Sequence, residues 1–354
     1  MRYPPGGTAG YARIAMERMA AGRPIEWEVI GLEGWRRIDH ASRTPAVLRR
    51  TSNLALDTGW LVLGAAIEAA RRRLDAWFTP ASLLPLALPR PAVAIMHNLA
   101  FLLVPDLFEP GYQKATERLH RLAVARAARI ITPSDFLRGV VIDRLGATPD
   151  RVRTIPWGID HLPAPAASPG IDLPRPYALF IGQTQPHWNV GALLDAWRAG
   201  VPDDLALVIS GAAGRDDASL RRRVDREGLA GRVHFTGLLP ADRLMAVIRD
   251  AHLFVDPSLA EGFGKPVLET MRLGVPCAVS SGGALPEVTN GAALVFDPMD
   301  AEAVADAVTR LHGDRDLRQR LHIEGPKVAS QYRWARSVEG YWEEVRAAVA
   351  DGAR

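Results

Sequence analysis

The chain alternates between short apolar runs and longer segments whose apolar residues recur at helical spacing. Short apolar runs bounded by Gly, Pro or Asp are typical of strands that are buried on both faces of a parallel sheet. Five such runs in the second half of the chain predict strands at residues 177–182, 205–211, 232–237, 251–255 and 275–279. Helical patterns lie between these runs, and further helices are predicted at residues 301–311, from residue 317 onward and at residues 337–348.

The first half follows the same alternation. Apolar runs predict strands at residues 27–32, 91–96 and 129–132, and helical patterns cover residues 12–20, 64–78 and 112–128. Ser134 is placed to cap the helix that follows the third of these strands. A segment rich in Pro, Ala and Ser, residues 162–176, resists regular structure and separates the two halves.

The repeated order of strand, helix and strand predicts an α/β protein with parallel sheets. At 354 residues the chain is longer than the roughly 250–300 residues at which single cores stop growing, so two domains are expected. The predicted limits are residues 1–161 for an N-terminal domain, 162–176 for a linker, 177–335 for a C-terminal domain and 336–354 for a final helix.

Composition favours a soluble globular protein, with 48% hydrophobic and 23% charged residues. The single cysteine, Cys277, excludes an intramolecular disulfide and is expected in the core because it lies in an apolar run. The sequence has no secretory signal and no run of about 18 or more apolar residues. We therefore expect a cytoplasmic protein.

Charge is distributed unevenly. Residues 1–160 carry 22 Lys and Arg against 15 Asp and Glu, whereas the remainder carries 21 against 25. A basic first half suits an acidic acceptor or peripheral contact with an anionic membrane, for example through residues 71–73 of the helix predicted at residues 64–78. An Arg-rich composition on solvated helix faces explains the same pattern, and both interpretations stay open. The arginines are dispersed, so nucleic acid is not expected as a partner.

The most informative segment is residues 261–269, which places two carboxylates on either side of a glycine-rich turn. Pro266 favours a helix start, so Glu261 is predicted on the preceding loop and Glu269 in the first helical turn. The glycines allow close backbone approach to a ligand, and the free N–H groups of a helix start attract an anion. Because a predicted strand precedes it, the loop lies at the carboxyl edge of the sheet, where α/β folds bind ligands. This combination suits a sugar nucleotide, although two acids at this spacing are by themselves more often ordinary surface residues.

Residues 254–298 resemble the retaining GT-B glycosyltransferases of family 4, which include bacterial mannosyl- and other hexosyltransferases. The family pattern is close to PS-x-x-EGFG-x-P-x-LE-x-M-x-x-G-x-P, followed by a turn of small residues, PE and a glycine. The matching residues are Pro257, Ser258, Glu261, Gly262, Phe263, Gly264, Pro266, Leu268, Glu269, Met271, Gly274, Pro276, Pro286, Glu287 and Gly291. The resemblance extends from residue 6 to about residue 345. It implies two Rossmann-like domains facing each other across a cleft, with the C-terminal helix crossing back to the N-terminal domain.

The resemblance also implies roles for individual residues. Glu269 would accept hydrogen bonds from the ribose, and Glu261, with the amides of residues 262–264, would hold the hydroxyls of the donor sugar. Gly237 and Leu238 match the segment that meets the nucleobase. His97, at the end of the strand predicted at residues 91–96, would contact the donor sugar near the reacting centre, although Asn98 replaces the usual Asp.

The beginning of the chain resembles the acceptor-side glycine loop of the family, with Gly7, Gly10 and Tyr11 as the matching residues. The family places a strand before this loop, whereas only three residues precede Pro4 here. The first strand is therefore expected to be missing, and we expect an upstream extension of the coding frame to supply it.

The diphosphate site departs most from the family pattern. After the strand that ends at Gly182, the family has an Arg-Lys pair, but this chain has His187 and Trp188. Loss of these cations would weaken the stabilisation of a departing diphosphate. Lys265, at a position that is usually apolar in the family, is expected to compensate, with pH-dependent activity if the His187 imidazolium contributes.

The resemblance implies a retaining transferase that moves a hexose from a nucleotide-diphosphate sugar, GDP-mannose as the first expectation, to an acceptor hydroxyl. The acceptor would be a glycan or a lipid-linked glycan in cell-surface polysaccharide or glycolipid assembly, at the inner face of the membrane. No D-x-D signature and no His/Cys cluster is visible in the sequence, so no metal and no other cofactor is expected. The alternative is a catalytically impaired GT-B protein that binds a nucleotide sugar or a partner without turnover.

Overall fold

The computed structural model describes residues 91–352 and, before them, residues 14, 15, 17–19, 30–32, 47–49, 75–80, 82 and 84. In chain order the strands are β1 (Ile30–Leu32), β2 (Val47–Arg49), β3 (Trp77–Thr79), β4 (Ala92–Ile95), β5 (Arg129–Thr132), β6 (Val152–Thr154), β7 (Tyr177–Ile181), β8 (Ala206–Ser210), β9 (Val233–Gly237), β10 (Leu253–Asp256), β11 (Cys277–Ser280) and β12 (Leu294–Phe296). The α-helices with defined bounds are α1 (Ala100–Leu103), α2 (Pro110–Arg126), α3 (Asp135–Leu145), α4 (Val190–Ala199), α5 (Asp217–Arg226), α6 (Ala241–Asp250), α7 (Lys265–Arg272), α8 (Leu285–Thr289), α9 (Ala301–Gly313), α10 (Arg315–Ala329) and α11 (Trp334–Gly352).

The chain divides into two compact units. Unit 1 consists of Met1–Asn98, Pro110–Trp157 and Trp334–Arg354, and unit 2 consists of Leu99–Glu109 and Gly158–Arg333. Each unit is built on a parallel sheet, which confirms the α/β class predicted from the alternation of strands and helices. The segment 99–109 groups with unit 2 although it precedes the predicted linker.

In unit 1, strands β3, β4, β5 and β6 pair in chain order as a parallel sheet, and β1 pairs with β2 in a separate two-stranded sheet. Every residue of β4 is buried, as a strand covered on both faces requires. Ser134 caps α3 as predicted, because its Oγ accepts a hydrogen bond of 3.2 Å from the Leu137 N–H. The C-terminal helix α11 packs on β4 and β5, and its Glu344 accepts a hydrogen bond of 2.9 Å from Arg153. The prediction that this helix returns to the N-terminal part of the chain is thereby confirmed.

Unit 2 contains a six-stranded parallel sheet in the order β12-β11-β10-β7-β8-β9. The chain proceeds from β7 outward to β9 and then returns to β10 on the other side of β7. The strand order therefore reverses between β7 and β10, and in open α/β sheets ligands bind beside such a switch point, at the carboxyl ends of the strands. The loops after these two strands contain the segments that the sequence analysis singled out.

Two details of the predicted secondary structure are wrong. Trp77 and Phe78 do not end a helix, because they lie in β3, where Trp77 pairs with Ala92 of β4. Pairing with a strand that is distant in sequence overrides the local helical pattern there. Helix α7 begins at Lys265, with Gly264 as its N-cap, so Glu269 is the fifth helical residue and lies beyond the first turn.

Several predictions fall outside the described residues. They concern the glycine loop with Gly7, Gly10 and Tyr11, the strand expected before it, and residues 64–74 of the predicted helix, including the arginines at 71–73. Residues 14, 15 and 17–19 are helical, in agreement with the helix predicted at residues 12–20.

Candidate functional site

The loops that follow β10 and β7 are joined to each other at the carboxyl edge of the sheet. The Leu259 N–H donates a hydrogen bond of 2.9 Å to the carbonyl of His187. Asn189 Nδ2 donates to the carbonyl of Pro257 at 3.2 Å and to that of Pro298 at 2.8 Å. A ligand at this edge would therefore meet both loops.

The acidic loop, residues 256–264, is held in shape by two glycines. Gly264 has a φ of +81° and forms the N-cap of α7, a left-handed conformation that favours glycine. Gly283 has a φ of +73°, and a Cβ atom there would lie only 2.2 Å from the carbonyl oxygen of Glu261. The next residue, Ala284, donates its N–H to that carbonyl at 2.8 Å. The glycine in the turn after β11 therefore allows the acidic loop to pack closely against that turn.

Glu261 accepts hydrogen bonds from two of the amide groups that were expected to act beside it in holding the hydroxyls of the donor sugar. Its Oε1 accepts hydrogen bonds from the N–H groups of Gly264 at 3.0 Å and Phe263 at 3.3 Å. The carboxylate therefore binds the two backbone N–H groups just before α7, near a helix start, where the helix dipole favours an anion. In this arrangement those two amides orient the side chain of Glu261.

Asp256 is a second carboxyl group at this loop, and the sequence analysis gave it no role. It is fully buried at the end of β10, and its Oδ1 accepts hydrogen bonds from the N–H of Ser258, at 3.0 Å, and from the Ser258 hydroxyl. Burial raises its pKa despite these hydrogen bonds. The sequence feature that could have identified Asp256 is its position at the end of an apolar run, directly before Pro257 and Ser258.

The environment raises the pKa of Glu261 to about 7. Burial is the largest cause and the negative charge of Asp256 the second, and together they outweigh the backbone N–H groups that lower the pKa. Near neutral pH the group therefore exists in two forms. The ionised form only accepts hydrogen bonds, whereas the protonated form also donates one.

Glu269 is buried on α7 and forms an ion pair within the helix. Its Oε1 lies 3.0 Å from the Nζ of Lys265, which is four residues earlier in the helix. The two charges largely neutralise each other, so Lys265 would have less net charge to offer a diphosphate than an unpaired lysine. The predicted contact of Glu269 with a ribose and the predicted compensation by Lys265 both stay predictions.

The loop after β7, residues 182–189, has no fixed cation at the two positions where the resemblance expects one. Trp188 packs against the core, with its ring edge-on to that of Phe180 at 6.4 Å. His187 is half-buried and stacks on Phe108, with 5.9 Å between ring centroids. Burial, followed by the positive charge of Arg215, lowers the pKa of His187. The imidazole is therefore neutral at pH 7, which counts against the predicted contribution of an imidazolium.

The end of β9 presents an exposed apolar residue where the nucleobase contact was predicted. Gly237 has a φ of +67°, and its carbonyl accepts a hydrogen bond of 3.0 Å from the N–H of Gly211. The side chain of Leu238 is 66% exposed. An apolar side chain in this setting can stack against a base, so the predicted role is compatible with the geometry.

His97 lies in unit 1, two residues after the end of β4, and is buried. Its Nε2 lies 2.9 Å from the carbonyl oxygen of Pro80, and its ring meets the Trp157 ring edge-on at 5.6 Å. Burial lowers the pKa of His97 to about 4. The ring is therefore neutral at pH 7, with the Nε2–H donating to Pro80. Its predicted contact with the donor sugar stays a prediction.

Within the described part of the chain, no group of three or more His, Cys, Asp or Glu side chains is arranged to hold a metal ion. Among the same residues, no helix combines the length and the apolar character needed to cross a membrane. Cys277 is a buried free thiol in β11, in agreement with the expected core position.

Two family models match the chain, one over each half. The model described as Glycosyltransferase Family 4 matches residues 5–161, and that described as Glycosyl transferases group 1 matches residues 166–328. The O-antigen chain mannosyltransferase B of Escherichia coli is 30% identical over 367 residues, which cover 94% of each chain.

Solved structures of similar fold cover most of the chain. A sucrose-phosphate synthase from Thermosynechococcus elongatus has a TM-score of 0.79 at 18% identity, over 98% of this chain and 94% of that one. HepE of Anabaena, in complex with UDP and glucose, has a TM-score of 0.69 at 18% identity, over 86% of each chain. The two parallel-sheet units and the returning C-terminal helix agree with this likeness. The chain therefore belongs to glycosyltransferase family 4 and has the GT-B fold.

Proposed function

We propose that this glycosyltransferase transfers a hexose from a nucleotide-diphosphate sugar to an acceptor hydroxyl with retention of anomeric configuration and without a metal ion. The donor is GDP-mannose, and the acceptor is a glycan or lipid-linked glycan of the cell surface. Transfer takes place in the cytoplasm, at the inner face of the membrane.

The observation that carries the proposal is the acidic loop at the switch point of the unit 2 sheet. Glu261 accepts hydrogen bonds from the amides of Phe263 and Gly264 in this loop, and Glu269 lies on α7, the helix that follows it. A relative named as a mannosyltransferase, matched over 94% of both chains, supports mannose as the sugar. A protein of similar fold in complex with UDP and glucose supports a nucleotide sugar as the class of donor.

The proposed step needs no group that the chain lacks. The bond between C1 of the donor sugar and the diphosphate oxygen breaks, and its electron pair remains on the diphosphate. The acceptor oxygen forms the new bond to C1 on the same face, and its proton passes to the departing diphosphate. Glu261 holds the sugar hydroxyls through that step, and its pKa of about 7 lets it accept or donate a hydrogen bond.

The test measures release of nucleoside diphosphate by the purified chain with GDP-, UDP-, dTDP- and ADP-sugars and a mannose-terminated acceptor. We expect turnover with GDP-mannose, an α-linked product by NMR, and unchanged turnover in the presence of EDTA. Inversion at C1, or loss of turnover in EDTA that added metal restores, would contradict the retaining or the metal-independent part of the proposal. For His97→Ala we expect kcat to fall more than the affinity for nucleoside diphosphate.

A second candidate is favoured by one observation. With His187 neutral and Trp188 packed on the core, the chain has no fixed cation at either position of the expected pair. In this alternative the protein binds a nucleotide sugar without turning it over. Donor-dependent thermal stabilisation without release of nucleoside diphosphate, with every acceptor tried, would establish this alternative.

A further inference from the structure

The loop after β8, residues 211–216, is held tightly against the loop after β7. The Gly214 N–H donates to Thr184 Oγ1 at 2.7 Å, and the Asp216 N–H donates to the Thr184 carbonyl at 2.9 Å. A Cβ atom on Gly211 would lie 2.1 Å from the carbonyl oxygen of Gly182, and one on Gly214 would lie 2.5 Å from the carbonyl carbon of Thr184. Glycine is therefore required at both positions for this approach.

These contacts fix the position of the residue between Gly214 and Asp216, which is Arg215. Its guanidinium donates a hydrogen bond of 3.0 Å to the carbonyl of Leu107. The next residue, Phe108, stacks on the ring of His187. Arg215 thus places a positive charge beside the loop where the expected Arg-Lys pair is replaced, and this charge contributes to the lowered pKa of His187.

Three other cations of unit 2 are held more closely by acids. Lys265 lies 3.0 Å from Glu269, and Arg221 lies 2.8 Å from Asp217 with its guanidinium over the Phe235 ring. Arg223 is paired with both Asp195 and Glu227.

By contrast, the Nε of Arg215 is 3.7 Å from its acidic neighbour Asp216, and its side chain is 52% exposed.

We propose that Arg215 binds the diphosphate of the donor and takes the place of the Arg-Lys pair that this chain lacks. A guanidinium can donate two parallel hydrogen bonds to phosphate oxygens. Its charge would stabilise the negative charge that builds on the diphosphate as the bond to C1 breaks. The inference rests on the proposed function, because it presumes a nucleotide-diphosphate donor.

The experiment compares three variants of the full chain: Arg215→Ala, Arg215→Lys and Arg320→Ala. Arg320 is an exposed arginine of α10 and serves as the matched control for loss of one positive charge. Calorimetry measures the affinity for GDP, for UDP and for the two parent nucleosides. We expect Arg215→Ala to weaken diphosphate binding about 10- to 100-fold, the range for losing a charged hydrogen bond, while nucleoside binding stays within about twofold. Arg215→Lys should recover part of the loss, and Arg320→Ala should behave as the wild type.

Three results would overturn the inference. Equal diphosphate affinity in the wild type and Arg215→Ala would exclude the contact. A parallel loss of nucleoside affinity, or a lower Tm of the free variant, would assign Arg215 a structural role. If Arg222→Ala, at the neighbouring cavity of about 480 Å³, abolishes diphosphate binding while Arg215→Ala does not, the cation lies on α5 instead. A wild type that binds no nucleoside diphosphate would reject the proposed function as well, whereas failure of the Arg215 variants alone leaves it standing.

Discussion

The acidic loop after β10 and the loop after β7 lie side by side at one edge of one sheet. They differ in charge, because the expected carboxylates are present at the first and the expected cations are absent from the second. The acidic loop and the helix α7 that follows it keep both carboxylates of the family pattern. Glu261 accepts hydrogen bonds from loop amides, and Glu269 pairs with Lys265. The loop after β7 has replaced the expected cations with an indole packed on the core and a neutral imidazole.

The two loops are joined to each other although only one of them keeps the charged residues that the family pattern predicts. Short hydrogen bonds still join the two loops, from Leu259 to His187 and from Asn189 to Pro257. Under the proposed function, positive charge comes from a neighbouring element, and Arg215 on the loop after β8 is linked to His187 through Leu107 and Phe108.

The largest effect is expected from breaking the shape of the acidic loop with Gly283→Ala. The added Cβ would overlap the carbonyl oxygen of Glu261, and the left-handed backbone there is strained for alanine. We expect the free energy of unfolding to fall by about 3 kcal/mol, measured by urea denaturation. Gly231→Ala is the control, because nothing lies within 4 Å of a Cβ at that position. Equal losses in the two variants would contradict the requirement for close approach.

Glu261→Gln tests whether the acidic loop is strained by its own charge. The folded protein raises the pKa of this carboxyl from 4.5 to about 7, so it prefers the neutral form. Stability is therefore lost as pH rises between these values, and the variant avoids that loss. At pH 8 we expect the variant to be more stable than the wild type by up to about 3 kcal/mol, with a smaller difference at pH 5. If the urea midpoints of the variant and the wild type differ by the same amount at both pH values, ionisation of Glu261 is not the cause of the difference.

Glu269→Ala tests whether Glu269 binds the donor nucleotide or serves only its ion pair with Lys265. If the carboxylate holds a ribose, the variant should bind nucleoside diphosphate more weakly by about 1–3 kcal/mol, measured by calorimetry. Lys265→Ala breaks the same ion pair but leaves the carboxylate, so a smaller loss is expected. Losses of equal size would mean that the pair acts as a unit and would remove the separate role for Glu269.

The smallest effect is expected at the loop after β7. Because burial and the charge of Arg215 lower the pKa of His187, the ring is mostly neutral from pH 6.5 upward, and His187→Gln should change diphosphate affinity less than about twofold between pH 6.5 and 8. Affinity titrations across this range measure the effect. If the wild type binds more tightly toward pH 6.5 and the variant does not, the imidazolium contributes after all.

The alternation of strands and helices in unit 2 could be predicted from the sequence, because buried parallel strands are continuous apolar runs and helices show their own period. The sequence also predicted the cap at Ser134 and the family, since the residues around Glu261 and Glu269 form a long ordered match. The ion pair of Lys265 and Glu269 could also have been predicted from the sequence, because residues four apart on a helix are neighbours.

The contacts between residues that are distant in sequence could not be predicted, because they depend on how the chain packs. Trp77 joins a strand because β4 pairs with it, and no local pattern carries that information. The pKa of Glu261 depends on burial and on Asp256, which the fold brings beside it. Gly211 and Gly214 allow the loops after β7 and β8 to pack against each other, which brings the charge of Arg215 near His187. Contacts of that kind arise from packing.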